Sequence, residues 1–490
     1  MKRRKIEHDD VEDSNGKSGG RWASIKEAVM NQCSTSTCWK TDLLDYLRGQ
    51  KDDPVAREEV LKSVDVRFLT TIMVSYTATT SAEDRALYDA LDLLENTYKV
   101  NMSPICPVVW GEKSAEIYEK RAQFGGTLQR TAPEQVLGLL DGIRMWRTVM
   151  NHTRPTVNDD TAKSPIYDVR FLMRLFVSMI HPGSELKYRQ FIEANGLALA
   201  FSCTSSKDVA VRKLAYCVLQ KFLSLMQELN IESAEDKYKI LYIYIIRLLK
   251  QSIESDAPRL PHVISHFFAR LSKLILHPES PVFTAVLSFL ILKPVMELDQ
   301  VPELYKMLLS SSVEHHHQER EWILTLISES LIEPADYTII QNRSGFKLML
   351  SLFPTAMVDM TARRLILAIL KTAVQMRSVA HDLFHRMNLH TWIACVIKDR
   401  SLSTWEQCYL AQIYCILIEM ERKYCRQAQV GDDDTKRSSL VAATTVRLTS
   451  RQVLAVMKDM SEKQTAVENL KAIEETLKSK WHPKKKKSTV

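Results

Sequence analysis

The chain has 490 residues, 45% of them hydrophobic and 26% charged, the balance of a soluble globular protein that can bury a large core. Glycine is scarce at 13 residues and nowhere clusters as a phosphate cradle, which argues for helices and against sandwiches or nucleotide-binding α/β units. The net charge of +7 sits at the two ends: setting aside Lys2, Arg3, Arg4 and Lys5, and Lys478, Lys480, Lys484, Lys485, Lys486 and Lys487, leaves 56 of the 66 basic residues against 59 acidic ones. The body is therefore near −3, and no broad basic surface for nucleic acid is expected of it.

Residues 1 to 20 are charged, carry glycine and serine, and lack large apolar groups, the composition of a disordered head. Lys2 to Lys5 read equally as a nuclear import signal and as a solvated terminus. No apolar core follows them, so no secretory leader is expected. The longest apolar stretch, Val282 to Val295, is broken by Lys293 and Pro294 and is too short to span a bilayer. Residues 21–150 form an N-terminal helical region. SIKEAVMNQ, TDLLDYLRGQ, AREEVLKSV and RALYDALDLLENTY carry apolar residues at three- and four-residue spacing, with Asp42 and Ser81 as N-caps. EQVLGLLDGIRMWRTV predicts one helix over Glu134 to Val149. The polar stretch 151–164 is the expected boundary before a helical-repeat domain over 165–425.

Asp208 to Arg212 opens a repeat-like helix, with Leu214, Val218, Phe222, Leu225 and Leu229 as its core face. An aspartate at the turn and an arginine four residues on suit the HEAT and armadillo pattern, in which such residues pair between successive repeats. Helices follow at Asp236 to Lys250, Pro261 to Leu276, Val282 to Leu292, Glu319 to Leu331, Phe346 to Phe353 and Ala362 to Met376. Pairs at this tempo give repeats of about 35 to 50 residues. The region His381 to Lys423 is again helical, with Trp392 and Trp405 as anchors. Residues 426–490 hold a polar break at Asp432, Asp433 and Asp434, two thin helices near Leu440 to Met460 and Thr465 to Lys480, and the tail HPKKKKSTV. The predicted class is all-α: an irregular α-solenoid of HEAT/armadillo-like helix pairs with disordered charged termini.

The region is organised around His277 to Trp322, HPESPVFTAVLSFLILKPVMELDQVPELYKMLLSSSVEHHHQEREW, in which apolar helical segments alternate with proline-marked corners. With YDVRFLMRLFVSMIHPGSELKYRQFIEANGLALAFSCTSSKDVAVRKLAYCVLQKFL, Tyr167 to Leu223, it resembles the C-terminal region of the nucleolar pre-ribosomal-associated protein 1 family. The resemblance covers about residues 165 to 375, with a weaker continuation to about 425. The family pattern has proline where this chain has Val169, and another near Arg174. Family members are several times longer, so the resemblance implies a fragment, a divergent short member or a C-terminal piece. It also implies a nucleolar, non-catalytic scaffold in large-subunit ribosome assembly. The implied partners are other early assembly factors, a DEAD-box RNA helicase, and pre-ribosomal or small nucleolar RNA.

No motif points to catalysis, and no enzyme, cofactor or small-molecule substrate is expected. His315, His316 and His317 are consecutive, but neighbouring helical residues point in different directions and no further ligand stands at metal spacing, so they read as a solvated turn. Glu314, Glu319 and Glu321 with Arg320 read as a solvated or ion-paired face. The nine cysteines include no CxxC pair and read as buried reduced thiols of a nuclear or cytosolic protein, for example Cys217 and Cys415. Lys484, Lys485, Lys486 and Lys487 suit the groove of an importin and secondarily RNA phosphates. A helical-repeat adaptor in nuclear transport is the alternative function, although the expected ladder of surface Trp and Asn is not visible.

Overall fold

A computed structural model describes residues 15–31, 39–105, 108–123, 133–154, 165–181, 183–228, 238–292, 296–428 and 434–463. Among these the regular structure is helical, apart from one isolated antiparallel bridge between Thr79 and Tyr167. No described helix is long and apolar enough to cross a membrane. The chain divides into two compact units, Met1–Lys239 and Ile240–Val490.

The first unit begins with α1 (Asn15–Asn31), α2 (Trp39–Gly49), α3 (Pro54–Ser63), α4 (Val66–Ser75) and α5 (Ala82–Asn96). Helix α1 starts inside the expected head. Its glycine-rich first turns are poor helix formers, but Trp22, Ile25 and Val29 form a buried stripe that holds the rest of the helix in place. Trp22 stacks on Tyr46 at 5.3 Å and donates its indole N–H to Ser63 Oγ at 2.6 Å. Ser81 caps α5 as expected, accepting from the Asp84 amide. Asp42 does not cap α2, because that helix already begins at Trp39 and Asp42 lies in its first turn. Asp84 is buried and gathers the amide and hydroxyl of Thr77 and of Thr79 on its carboxylate. This fixes the short extended piece that pairs with Tyr167.

Helices α6 (Ala115–Gln123), α7 (Pro133–Gly138) and α8 (Gly142–Asn151) follow. The single helix expected over Glu134 to Val149 is thus two. It breaks before Asp141, whose carboxylate accepts from the Arg144 amide and starts α8 afresh. Then come α9 (Val169–Met179), α10 (Tyr188–Glu193), α11 (Gly196–Cys203) and α12 (Val209–Glu228). Helix α9 starts without a proline, since the Asp168 carboxylate accepts from the Arg170 amide. Helix α12 packs on both α9 and α11, so its buried stripe is wide: Val211, Ala215, Val218, Leu219, Phe222, Leu225 and Met226. Leu214 falls on the rim of that stripe and is half-buried, and Leu229 lies outside the described residues. The Asp208–Arg212 ladder does not form. Arg212 donates to the carbonyls of Ser206 and Lys207, closing its own turn.

The second unit holds α13 (Lys239–Gln251), α14 (His262–Leu274), α15 (Phe283–Leu292), α16 (Leu304–Leu308), α17 (His316–Ser330), α18 (Pro334–Asn342), α19 (Gly345–Leu352), α20 (Met360–Gln375), α21 (Arg377–His385), α22 (Leu389–Val396), α23 (Thr404–Ala428) and α24 (Asp434–Lys463). The recurring element has three helices, not two: a longer helix, a second helix, and a short third one entered through a left-handed residue. Those residues are Glu303, Ser344 and Asn388, at φ of 56°, 55° and 51° and spaced 41 and 44 residues apart. Helices α14, α17, α20 and α23 pack in succession, and α18 packs on α21. Asn195, at φ 63°, enters α11 in the same way in the first unit. The residue after the joint is Gly196 or Gly345 in two of the four cases. A β-carbon there would stand 2.4 Å from the Phe191 ring or 2.7 Å from the Ile340 carbonyl oxygen, so glycine lets the third helix turn back tightly on the second. The second late helix expected near Thr465 to Lys480 lies outside the described residues.

Candidate functional site

Each module of the second unit is tied to the next by polar side chains that sequence periodicity does not reveal. Asn342 donates to the Asp299 carbonyl at 2.9 Å, and Arg343 to Gln300 Oε1 at 2.5 Å. Tyr337 donates its hydroxyl to Asp382 Oδ2 at 2.5 Å. The Trp392 indole N–H reaches the Leu350 carbonyl at 3.1 Å while its ring meets Phe353 edge-on at 5.6 Å, so Trp392 is an anchor as expected. Trp405 is largely exposed, stacked on Tyr409 and covered by the Arg364 guanidinium. Such ties join successive helices of the second unit.

Two buried polar latches join helices of the second unit. Arg320 was expected on a solvated face with Glu319, but it is 1% exposed. Its guanidinium takes the carbonyls of Leu308 at 3.1 Å and Met357 at 2.7 Å, joining α16 to the turn before α20. His262 and Asp336 form a second latch. The carboxylate accepts from the His262 amide at 2.9 Å, faces its Nδ1 at 3.0 Å, and caps α18 through the Glu333 amide. Both residues are buried, so this His–Asp pair has no route to a substrate and serves packing.

Around the Arg320 tie lies an apolar rim: Leu309, Val313, Met357 and Met360 are all exposed, Val313 at 91% and Met357 at 68%. The three histidines border it. His316 Nδ1 bonds the Ser312 carbonyl oxygen at 2.9 Å, and His317 Nδ1 lies 3.9 Å from Asp359. They belong to the first turn of α17 and its approach, and they do not converge with a third ligand type. In the first unit a groove of about 1280 Å³ opens between Met73, Tyr88, Asp92, Phe171 and Arg174. Arg174 pairs with Asp92 at 3.5 Å and lies over the Tyr88 ring. Burial pushes the Tyr88 hydroxyl above its ordinary value, so it does not ionise near neutral pH.

One cluster was missed by sequence reasoning. His381 and His385 stand one turn apart on α21, and both face Glu421 of α23. Their His-x-x-x-His spacing was legible; Glu421, 36 residues beyond His385, was not. Cys203 is buried, and its thiol is pushed up by burial; Cys217, Cys408 and Cys415 are half-buried and Cys395 is exposed. Lys2, Arg3, Arg4, Lys5, Lys484, Lys485, Lys486 and Lys487 lie outside the described residues.

Residues 197–392 match the family model described as nucleolar pre-ribosomal-associated protein 1. The chain is 26% identical over 348 residues to the human protein named nucleolar pre-ribosomal-associated protein 1, and 26% identical over 352 residues to its mouse counterpart. Each alignment covers 68% of this chain, and the chain spans 15% of the length of each relative. No solved structure matches it. The matched span includes the joints at Glu303, Ser344 and Asn388 that define the modules, and over that span the chain is similar to the nucleolar pre-ribosomal-associated protein 1 family.

Proposed function

We propose that the chain is a non-catalytic scaffold in ribosome biogenesis, acting in the nucleolus on assembly and pre-ribosomal RNA processing of early large-subunit precursors. The observation that carries this reading is the 348-residue similarity to relatives named for nucleolar pre-ribosomes. It extends over helices tied module to module and not over a catalytic pocket. The successive modules are those of an irregular α-solenoid, a fold that works by presenting a long surface. Its mechanism is geometric: partners are held in register and no bond is made or broken. The partners are other early assembly factors, a DEAD-box RNA helicase, and pre-ribosomal or small nucleolar RNA. Lys2 to Lys5 and Lys484 to Lys487 engage an importin and, once in the nucleolus, RNA phosphates; the phosphate contacts weaken with salt.

The test is affinity purification of the tagged chain from nuclear extract, with and without ribonuclease, reading RNA and protein together. The expected result is enrichment of large-subunit precursor RNA with assembly factors, the proteins persisting after ribonuclease. Recovery of import receptors and cargo without pre-ribosomal material would overturn the scaffold reading in favour of a nuclear-transport adaptor.

A further inference from the structure

The His381, His385 and Glu421 cluster is independent of the scaffold reading and has the makings of a metal centre. Helix α21 places the two imidazoles at i and i+4, one above the other on a single face. Helix α23 packs against that face and delivers Glu421 between them. Glu421 Oε1 lies 3.2 Å from His381 Nδ1 and 2.9 Å from His385 Nε2, and Oε2 lies 3.0 Å from His381 Nδ1. One ligand atom from each residue falls within 4.8 Å of the other two.

Those separations suit a small divalent ion. With Zn–N and Zn–O bonds of about 2.0–2.2 Å, donors around a tetrahedral ion stand roughly 3.4 Å apart, so each Glu421–imidazole contact need only open by a few tenths of an ångström to admit one. Two imidazoles and a carboxylate are a borderline-soft set that suits zinc and not magnesium or calcium. The surroundings hold the ligands in place: Tyr424 stacks on His381 at 4.2 Å, and Phe384 packs edge-on against His385 at 4.9 Å. The site also has an entrance. The side chains of His381 and His385 are 36% and 35% exposed, while that of Glu421 is 11% exposed, so the carboxylate forms the floor and the imidazoles the mouth.

We propose that His381, His385 and Glu421 bind one zinc ion, with the fourth coordination position open to water or to a donor from a partner. The ion replaces the two N–H···carboxylate contacts by metal–ligand bonds, taking both imidazoles in their neutral form. It cross-links α21 to α23, two helices from consecutive modules. Its role is to lock the modules and, through the open position, to offer a contact that depends on metal.

The experiment is a calorimetric titration of zinc chloride into the untagged, chelator-treated full chain, repeated for His385→Asn, Glu421→Gln and a variant with His315, His316 and His317 all changed to Asn. Cobalt(II) spectra and far-ultraviolet circular dichroism accompany each titration. The expected result is one zinc per chain, a cobalt spectrum of tetrahedral nitrogen and oxygen ligation, and an affinity at least tenfold weaker in either cluster variant. The triple variant retains binding. Absence of one-to-one binding by the wild-type chain would overturn the proposal, as would a cobalt–thiolate band or loss of binding only in the triple variant. If His385→Asn fails to fold, Glu421→Gln decides by the same criterion, and the wild-type stoichiometry and spectrum stand on their own. None of these readouts depends on pre-ribosomal association.

Discussion

Arg320 donates from Nη1 to the Met357 carbonyl oxygen at 2.7 Å from a position almost wholly removed from solvent. A buried guanidinium is tolerated only where its donors are satisfied, and here Nε also meets the Leu308 carbonyl. Replacement by methionine keeps much of the volume but strands two main-chain carbonyls, each costing about 1–3 kcal/mol. Arg320→Met is therefore expected to lower unfolding stability by about 3 kcal/mol. Arg320→Lys, which has one compact head for two separated acceptors, should lose about half of that. Urea unfolding of the full chain checks both. A change within about 0.5 kcal/mol would return Arg320 to the solvated face that its sequence neighbours suggest.

The tight return of α19 on α18 makes a second prediction. A β-carbon at Gly345 meets the Ile340 carbonyl oxygen at 2.7 Å and Leu304 Cδ2 at 3.1 Å, whereas one at Gly142 meets nothing within 4 Å. Gly345→Ala must push main chain aside and is expected to cost about 1–3 kcal/mol. Gly142→Ala, in the first turn of α8, should be neutral or stabilising by up to about 1 kcal/mol. Paired thermal melts of the two variants give opposite signs if the close approach is real, and matching signs if it is not.

The limits of sequence reading follow from the same residues. Apolar periodicity located most longer helices, because α17 and α20 each bury a face that repeats every three or four residues. It could not find the joints. Glu303, Ser344 and Asn388 take left-handed conformations without being glycine; α19 was expected at Phe346 to Phe353, but α18 was not, α21 and α22 were merged within one helical region, and helix pairs were expected. The fate of Arg320 depended on carbonyls 12 residues before it and 37 after it, which no local pattern encodes. The metal-type cluster was half legible: His381 and His385 share a helix, but Glu421 arrives only through tertiary packing.

Trp392 supplies a prediction about how modules are held together. Its indole N–H donates to the Leu350 carbonyl in the preceding module. Trp392→Phe keeps a ring against Phe353 but gives up the donor, and is expected to cost about 1 kcal/mol. Hydrogen exchange should show the loss as faster opening of amides in α19 and α22, with α14 unchanged. Uniform acceleration across the second unit would mean that the hydrogen bond has no local role in joining modules.

His390 makes the stability of the second unit depend on pH. Its ring is buried, stacks on Phe384 at 4.2 Å, and has no hydrogen-bond partner at Nδ1 among the described residues. Burial, and secondarily His385 of α21, hold its pKa down to about 4, while Glu421 of α23 pulls the other way. Because the folded value lies below the unfolded one of about 6.5, the unfolded chain binds the extra proton between those two values. The neutral-ring contribution is thus fully present above about pH 6.5, falls as the pH drops, and levels off below about 4. The full linkage is at most about 3 kcal/mol, and solvent screening of a ring one layer below the surface reduces it to about 2 kcal/mol. Denaturant unfolding at pH 7 and pH 4.5 should therefore show a smaller loss on acidification for His390→Gln than for the wild-type chain. Every other group is common to the two proteins, so the difference between the two losses isolates His390. Equal losses would show that its ring is not held neutral by burial.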